Sequence, residues 1–316
     1  MPALNYTKDK DAIPVAVVRG GELDGSLLYL HTDSKKKIPG KSVDVVKYLH
    51  LLRFLKPSER VRIMKEITEA IERDIEPGAF MPSNGDERIR PIYEKIKKET
   101  NEDVSLNLPD DSSYQIIPNP DPTKRCIWYA AGASGSGKSW FARQVAENYK
   151  KLFPDREIYL ISKLQDDETL DTMTIGKPKR INLQTLVDDP PELEEFKDCL
   201  VIFDDFDTLD KPFSDVVHKL IEDLCIMGRH TNTSLAILSH YLTNYKKTRL
   251  ILNEAHFIVF YPTATSFKAL RYVAETYAGL SKDEVHGLKK LGRWVMVHKC
   301  YPQYLISQHT ARLLNQ

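Results

Sequence analysis

The chain has 316 residues, with 45 lysines and arginines against 45 aspartates and glutamates, and 41% of its residues are hydrophobic. This balance supports a folded core and excludes both a disordered chain and a uniformly basic surface. No apolar run approaches the roughly 18 residues that span a bilayer, and residues 1–10 lack the apolar core of a signal peptide. We therefore expect a protein that is not integral to a membrane. Its four widely spaced cysteines, without a CxxC pair, predict reduced thiols in an intracellular protein.

Residues 1–111 are predicted to form a smaller α+β domain. Strand-like segments at Ile13–Arg19 and Ser26–His31 flank a glycine-rich turn and predict a hairpin. Helical patterns follow at Ser42–Leu55, at Ser58–Ile75 and near Ile92–Thr100. In the second helix Ser58 is the expected N-cap, and the apolar residues at helical spacing are Val61, Met64, Ile67 and Ile71. Prolines among Asn, Asp and Ser then predict a linker at residues 112–123.

Residues 124–316 alternate strands with helices, which predicts a mostly parallel sheet with helices on both faces. The expected strands are Arg125–Ala131, Glu157–Ser162, Cys199–Phe203, Ser234–Ser239, His256–Tyr261, Arg293–His298 and Gln303–Ser307. The expected helices are Ser139–Leu152, Ser214–Met227, Ser266–Ala278 and Ser281–Leu291. The alternation predicts an α/β domain, and a phosphate-binding loop within it would indicate the P-loop NTPase class.

Such a loop lies between the first strand and the first helix, and it matches G-x-x-x-x-G-K-[ST] without a mismatch. Its residues are Gly132, Ala133, Ser134, Gly135, Ser136, Gly137, Lys138 and Ser139. Backbone N–H groups and the helix N-terminus attract phosphate, Lys138 reaches the β- and γ-phosphates, and the Ser139 hydroxyl ligates magnesium. The motif predicts binding of ATP with Mg²⁺.

A carboxylate that completes the metal site is expected on a neighbouring strand, and the apolar run Leu200–Phe203 ends at Asp204 and Asp205. Asp204 is the expected magnesium ligand, through water. Asp205 is then placed for a general base or for an acid that orients the attacking water. A solvated loop acid is the alternative for Asp205, because Asp207 and Asp210 follow closely.

The next strand, Ser234–Leu238, ends at Ser239 and His240. A polar residue at that position can sense the γ-phosphate or hold water, and we assign this role to His240, with a core histidine bonded to backbone as the alternative. The chain has no arginine-rich lid of the kind that nucleotide kinases use, and no Asn-Lys-x-Asp string for guanine.

This layout resembles the FtsK–HerA superfamily of DNA-pumping ATPases, and within it the genome-packaging ATPases of large nucleocytoplasmic DNA viruses. The resemblance covers roughly residues 120–316 and rests on residues 132–139, 200–205, 228–232, 239–241 and 248–254. It implies a RecA/FtsK-like fold and an ATP-hydrolysing translocase that packages viral double-stranded DNA into capsids as a homo-oligomeric ring. Two departures are Asp205, where the superfamily usually has Glu, and His240, where it commonly has Gln.

The resemblance also implies an arginine that reaches the nucleotide of the adjacent subunit. Arg229 is the first candidate and Arg249 the second, with a surface or ion-paired arginine as the alternative for both. The resemblance also implies action in the host cytoplasm, at the viral factory, and in the virion. Residues 1–111 carry no recognisable motif; from their position alone we expect a module for oligomerisation or for docking to capsid or inner-membrane virion proteins. The candidate DNA contacts are Lys246, Lys247 and Arg249 with Tyr241 and Tyr245; Lys289, Lys290 and Arg293 near Trp294; and residues 35–37. A solvated charged face is the alternative for the first two groups, and a loop for the third.

Two other functions remain compatible with these residues. One is a P-loop nucleotide or nucleoside kinase, which transfers phosphate to a small acceptor. The other is an ATP-binding assembly protein with little turnover, which the Asp204-Asp205 pair leaves open.

Overall fold

The computed structural model describes residues 2–32, 48–73, 75–102 and 105–314, and the chain divides into two compact units. The larger unit combines Met1–Asp33 with Leu106–Gln316, and the smaller unit is Ser34–Ser105. The structure thus divides the chain at positions other than the predicted boundary at residue 111. Residues 1–33 share a unit with the phosphate loop, because their strands share a buried cluster with the large sheet and with α3.

The strands and helices of the described residues have the following bounds. The strands are β1 (Ala3–Asn5), β2 (Ile13–Arg19), β3 (Leu27–His31), β4 (Ser105–Asn107), β5 (Ser113–Ile116), β6 (Ile127–Ala131), β7 (Ile158–Ser162), β8 (Lys179–Arg180), β9 (Leu200–Asp204), β10 (Ser234–Ser239), β11 (Phe257–Phe260), β12 (Val295–His298), β13 (Tyr304–Ser307) and β14 (Thr310–Leu313). The α-helices are α1 (Pro57–Glu72), α2 (Ile89–Glu102), α3 (Lys138–Leu152), α4 (Leu183–Asp188), α5 (Phe213–Met227), α6 (Tyr245–Glu254), α7 (Phe267–Thr276) and α8 (Lys282–Leu288). Short 3₁₀ turns occur at Leu49–Leu52, Pro77–Ala79, Leu193–Phe196 and Phe206–Thr208.

The large sheet of the larger unit has the strand order β4-β14-β13-β12-β11-β6-β10-β9-β7-β8. The strands from β11 to β8 in this order are parallel, and β12, β13 and β14 add antiparallel strands at the other side. The predicted α/β fold with a mostly parallel sheet is confirmed. All residues of β6, β9 and β10 are buried, as expected for strands covered on both faces.

The two faces of this sheet are covered by different elements. Tyr129, Phe203 and Ile237 belong to one buried cluster, which also contains residues of α5, α6, α7 and α8. Their neighbours in the strands point the other way, because side chains alternate along a strand. Trp128 and Ile202 belong to the second cluster, with α3 and the N-terminal strands. The prediction of helices on both faces is therefore confirmed.

A second sheet of the larger unit has the order β1-β3-β2-β5. The predicted hairpin is confirmed, since β2 and β3 pair antiparallel. The predicted linker at residues 112–123 contains β5, which pairs antiparallel with β2. Tyr114 and Ile116 of this strand are buried while Ser113 and Gln115 are partly exposed, so a short alternating strand lies in a segment that its prolines mark as a loop.

The smaller unit is helical in its described residues and has its own core, which includes Met64, Ile67 and Ile71 of α1. The predicted N-cap of this helix was wrong, and one of its four apolar residues at helical spacing does not join the core. The helix begins at Pro57, so Ser58 is not its N-cap, and Val61 is 65% exposed. Proline at the first helical position sets the start of the helix, because its fixed φ suits that position and no N–H is needed there. The beginning of the predicted helix Ser42–Leu55 lies outside the described residues.

None of the helices in the described residues is both long and apolar enough to cross a bilayer. The four cysteines are free; Cys126, Cys199 and Cys225 are buried and Cys300 is exposed.

Candidate nucleotide-binding site

The phosphate loop lies between β6 and α3, at the carboxyl end of the parallel strands. Gly135 has φ 73° and Gly137 has φ 110°, and α3 begins directly afterwards at Lys138. A positive φ at the residue before the helix favours glycine, because a Cβ is strained there. The loop thus presents the N-terminus of a 15-residue helix, where N–H groups and the helix dipole favour an anion.

Lys138 is buried, with only 6% of the residue exposed. Its Nζ donates hydrogen bonds to the carbonyl oxygens of Gly132 (3.0 Å) and Ala133 (3.5 Å). Two loop carbonyls therefore hold the ammonium group against the loop. A lysine in this position brings a localised positive charge to phosphate oxygens.

The base of the loop is packed so closely that Gly132 cannot carry a side chain. A Cβ there would lie 2.8 Å from Ser136 Oγ and 2.9 Å from Tyr261 Cδ2. Ser136 Oγ and Tyr261 Oη are both buried and have no hydrogen-bond partner among the described residues. Burial raises the pKa of Tyr261, so its hydroxyl stays protonated.

Asp204 reaches the same edge of the sheet as the loop. In the parallel register Ala131 lies opposite Ser239, and Phe203 lies opposite Ile237. The sequence predicted that the acid-bearing strand β9 is the direct neighbour of the loop strand β6. This was wrong, because β10 lies between them. The end of β10 is therefore flanked on one side by the phosphate loop and on the other by Asp204.

Asp204 is 3% exposed, and burial raises its pKa to about 7; the nearby Asp205 and Asp167 also raise it, while Lys138 and Arg180 lower it. The positive charge of Lys138, at the same edge of the sheet, thus favours the ionised form of the Asp204 carboxyl group. Ser139 is half-buried in the first turn of α3. A hydroxyl and a carboxylate are hard oxygen donors of the kind that Mg²⁺ prefers, so this pair fits the predicted metal.

Asp205 and His240 form a pair at the carboxyl ends of β9 and β10. His240 Nε2 lies 2.8 Å from Asp205 Oδ1. The backbone of Asp205 is left-handed, with φ 53°, which aspartate tolerates better than most residues. The structure thus brings together two residues that the sequence assigned separately to water activation and to γ-phosphate sensing.

Asp207 has a structural role that the sequence did not indicate. Its Oδ2 accepts hydrogen bonds from Ser239 Oγ (2.8 Å), His240 N (2.9 Å) and Tyr241 N (3.2 Å). These three bonds fix the end of β10, and with it the backbone of His240. No local sequence pattern indicates this role of Asp207, because the contact joins residues more than 30 positions apart.

The two candidate arginines are both exposed and flank β10 in the sequence. Arg229 is exposed and precedes β10, so it lies at the amino edge of the sheet, opposite the phosphate loop. Its Nε donates to His230 Nε2 at 3.3 Å. Arg249 is exposed in the middle of α6. A role for Arg229 at a nucleotide therefore requires a second copy of the chain.

The structure separates the two described groups of candidate DNA contacts. Lys246 and Lys247 lie in the first turn of α6, and Tyr241 is 58% exposed nearby in sequence. In the other group Trp294 is buried, and Arg293 donates hydrogen bonds to the phosphate loop. Residues 35–37 lie outside the described residues.

No protein-family model matches this chain. An uncharacterised protein, V3 of Sputnik virophage, is 33% identical over 204 residues, which are 63% of this chain and 82% of that protein. Among solved structures, the genome packaging NTPase B204 of Sulfolobus turreted icosahedral virus 2 in complex with ATP-gammaS is 16% identical, covers 60% of this chain and 97% of its own, and has a TM-score of 0.38. The cytoplasmic domain of the type VII secretion ATPase EccC of Thermomonospora curvata is 14% identical with a TM-score of 0.39 and covers 58% of this chain and 25% of its own.

Proposed function

The chain belongs to the same family as the V3 protein of Sputnik virophage, and from the site that it builds we propose that it is a magnesium-dependent ATPase that moves double-stranded DNA into a viral capsid. One observation carries the ATPase proposal: Lys138, Asp204 and the Asp205–His240 pair meet at the carboxyl edge of one sheet. That edge is where open α/β sheets bind ligands.

Each residue has a separate part in hydrolysis. The loop amides and Lys138 hold the β- and γ-phosphates. Ser139 and Asp204 would hold Mg²⁺, which would supply positive charge for the transferred phosphoryl group. Asp205 accepts a hydrogen bond from the attacking water and draws its proton, while His240 fixes the orientation of the Asp205 carboxylate. Asp207 holds His240 in register through its backbone N–H.

The DNA-moving part of the proposal rests on different residues. The motifs around residues 228–232, 239–241 and 248–254 resemble those of DNA-pumping ATPases. Lys246 and Lys247 place two cations in the first turn of α6, and sequence-independent grip needs only cations near phosphates. Because Arg229 lies opposite the phosphate loop of its own chain, we propose a homo-oligomeric ring in which it completes the next subunit's site. The host cytoplasm and the virion are the proposed places of action.

Turnover of ATP with and without duplex DNA tests this proposal. We expect DNA to stimulate phosphate release, and Lys138→Ala to abolish it in both conditions. The double variant Lys246→Gln/Lys247→Gln should keep the basal rate and lose the stimulation. A matched pair of exposed lysines, Lys268→Gln/Lys282→Gln, removes the same charge elsewhere and should keep both.

The rival functions give other results. A rate that ignores DNA, together with phosphate appearing on an added nucleoside, identifies a kinase. Tight ATP binding with negligible turnover in either condition identifies an assembly protein. Either result overturns the motor.

A further inference from the structure

The outer side of the phosphate loop is bound by an arginine that comes from far along the chain. Arg293 lies between α8 and β12, and its side chain reaches the loop from the surface. Its Nε donates to the carbonyl oxygen of Ser136 at 2.8 Å, and its Nη2 donates to the carbonyl oxygen of Gly135 at 2.7 Å. One guanidinium group thus holds two successive peptide units of the loop.

The peptide geometry gives this contact a consequence for phosphate binding. In a trans peptide the C=O and N–H groups point in opposite directions. The Ser136 carbonyl shares its peptide with the N–H of Gly137, so fixing that oxygen outward on Arg293 turns this N–H toward the other side of the loop. The Gly135 carbonyl shares its peptide with the N–H of Ser136, which donates to Ala133 O at 3.1 Å within the loop. Arg293 therefore fixes both the internal turn of the loop and the direction of the Gly137 N–H.

Only an arginine can make this contact in full. Its planar fork presents two donors at a fixed spacing, which matches two neighbouring carbonyl oxygens, whereas lysine offers a single ammonium group. The guanidinium also brings a permanent positive charge close to the loop. The guanidinium lies against Gly137, where a Cβ would be 3.4 Å from Arg293 Nε, an ordinary contact.

We propose that Arg293 is a positioning residue that holds the phosphate loop in the shape that accepts a triphosphate, an inference that rests on the proposed function of this loop. Arg293 acts on the loop backbone and touches no reacting atom. In the sequence it belongs to a basic group near Trp294 and was a candidate DNA contact. Its two bonds to the loop assign it to nucleotide binding instead.

Binding of a fluorescent ATP analogue with Mg²⁺ tests the assignment, together with KM and kcat measured without DNA. For Arg293→Gln we expect Kd and KM to rise about tenfold, because tenfold corresponds to the loss of roughly one charge-assisted hydrogen bond. The value of kcat should stay within about threefold, since the chemistry depends on other groups.

Two further variants serve as comparisons. Arg293→Lys keeps the positive charge but not the planar fork of donors, so its Kd should lie between those of the wild type and Arg293→Gln. Arg271→Gln removes an exposed arginine that is paired with Glu275 on α7, and it should leave Kd unchanged.

A second measurement does not depend on activity. Hydrogen exchange of the Ser136 and Gly137 amides in the nucleotide-free full chain should accelerate in both Arg293 variants and not in Arg271→Gln. If Kd and amide exchange are unchanged in Arg293→Gln, the inference is wrong. It is also wrong if the loss appears only when DNA is present, because Arg293 is then a DNA contact. If Lys138→Ala binds the analogue as tightly as the wild type does, the loop is not the nucleotide site, and the proposed function fails with the inference.

Discussion

The Asp205–His240 pair places two polar side chains of adjacent strand ends in direct contact. A histidine that hydrogen-bonds a carboxylate fixes its orientation, and a fixed carboxylate is a better proton acceptor than a mobile one. The left-handed backbone of Asp205 belongs to the same arrangement, since residues held in sparsely populated backbone regions cluster at functional sites. Asp205 is therefore the residue at which binding and turnover should separate most cleanly.

Replacing Asp205 by Asn tests this separation. Asparagine tolerates the same positive φ and can still accept a hydrogen bond from His240 Nε2, so the fold and the pair should persist. The amide cannot accept a proton from water, and we expect kcat to fall by about 10²-fold or more while the Kd of ATP changes by less than about threefold. Steady-state turnover and equilibrium binding give the two numbers.

Asp210 supplies the control for that substitution. Its side chain is 89% exposed and lies 3.5 Å from Lys163 Nζ. Asp210→Asn removes the same charge from the same loop and should leave kcat within about twofold of the wild type, as expected for a surface substitution. Equal rates for Asp205→Asn and Asp210→Asn would show that Asp205 is a solvated loop acid.

The burial of Asp204 at the candidate site lowers the stability of the folded protein when its carboxyl group is ionised. Its folded pKa of about 7 lies above the ordinary value, so the folded protein binds this proton more tightly than the unfolded chain does. The associated stability is fully present below about pH 4, is lost as pH rises to about 7, and is constant above that. In the metal-free protein at pH 8, Asp204→Asn should raise the free energy of unfolding by up to about 4 kcal/mol while abolishing turnover. Urea unfolding in the presence of EDTA measures the change, and a variant no more stable than the wild type at pH 8 contradicts it.

At the scale of elements, sequence patterns were reliable where a strand is buried and flanked by turn residues. β6, β9 and β10 were predicted from their apolar runs, and the phosphate loop from its motif and its place between strand and helix. The order of strands in the sheet could not be predicted in this way. That β10 lies between β6 and β9 depends on long-range pairing, which no local pattern encodes.

The remaining contacts of the site were missed for the same reason. Asp207 binds the end of β10, and Arg293 binds the phosphate loop 157 positions away. Neither residue belongs to a motif, because each acts through the backbone of another segment and needs only a donor or an acceptor. Such contacts become visible only when the segments are placed together.

His256 connects β6 and the start of β11 by a hydrogen bond that is sensitive to acid. It precedes β11, and its Nδ1 accepts a hydrogen bond from the backbone N–H of Ile127 in β6 (3.2 Å). Burial, above all, lowers its pKa to about 4, with smaller contributions from Arg125, His298 and Lys299. The folded state therefore keeps this ring neutral and bonded.

A decrease in pH should therefore weaken the fold through His256. Because its folded pKa is lowered, its stabilising contribution is fully present above about pH 6.5 and is lost as pH falls to about 4, by about 3 kcal/mol in total. His256→Gln should show a smaller loss of unfolding free energy between pH 7 and pH 5 than the wild type in urea titrations. His286→Gln removes an exposed histidine on α8 and serves as the control. The same loss in His256→Gln as in the wild type would contradict the assignment.

At the scale of the whole molecule, the buried clusters follow the two units rather than the order of the chain. One core lies entirely within the smaller unit, and both clusters of the large sheet lie in the larger unit. Leu4, Ala16 and Leu28 from the N-terminal strands share a buried cluster with Phe141 and Val145 of α3, the helix that carries the phosphate loop. The N-terminal strands are therefore part of the structure that supports the nucleotide site.

Two deletions should consequently have opposite effects. Replacing residues 34–105 by a short glycine-serine linker removes one unit with its own core, and the remainder should fold cooperatively and bind ATP with a Kd within about threefold of the wild type. Deleting residues 1–33 exposes the apolar face of α3 and of the sheet, so that chain should aggregate or lose cooperative unfolding and ATP binding. Thermal unfolding and equilibrium nucleotide binding compare the two. If the chain lacking residues 1–33 is as stable as the wild type and binds ATP equally well, the N-terminal strands do not support the site. That result would favour the predicted domain boundary at residue 111.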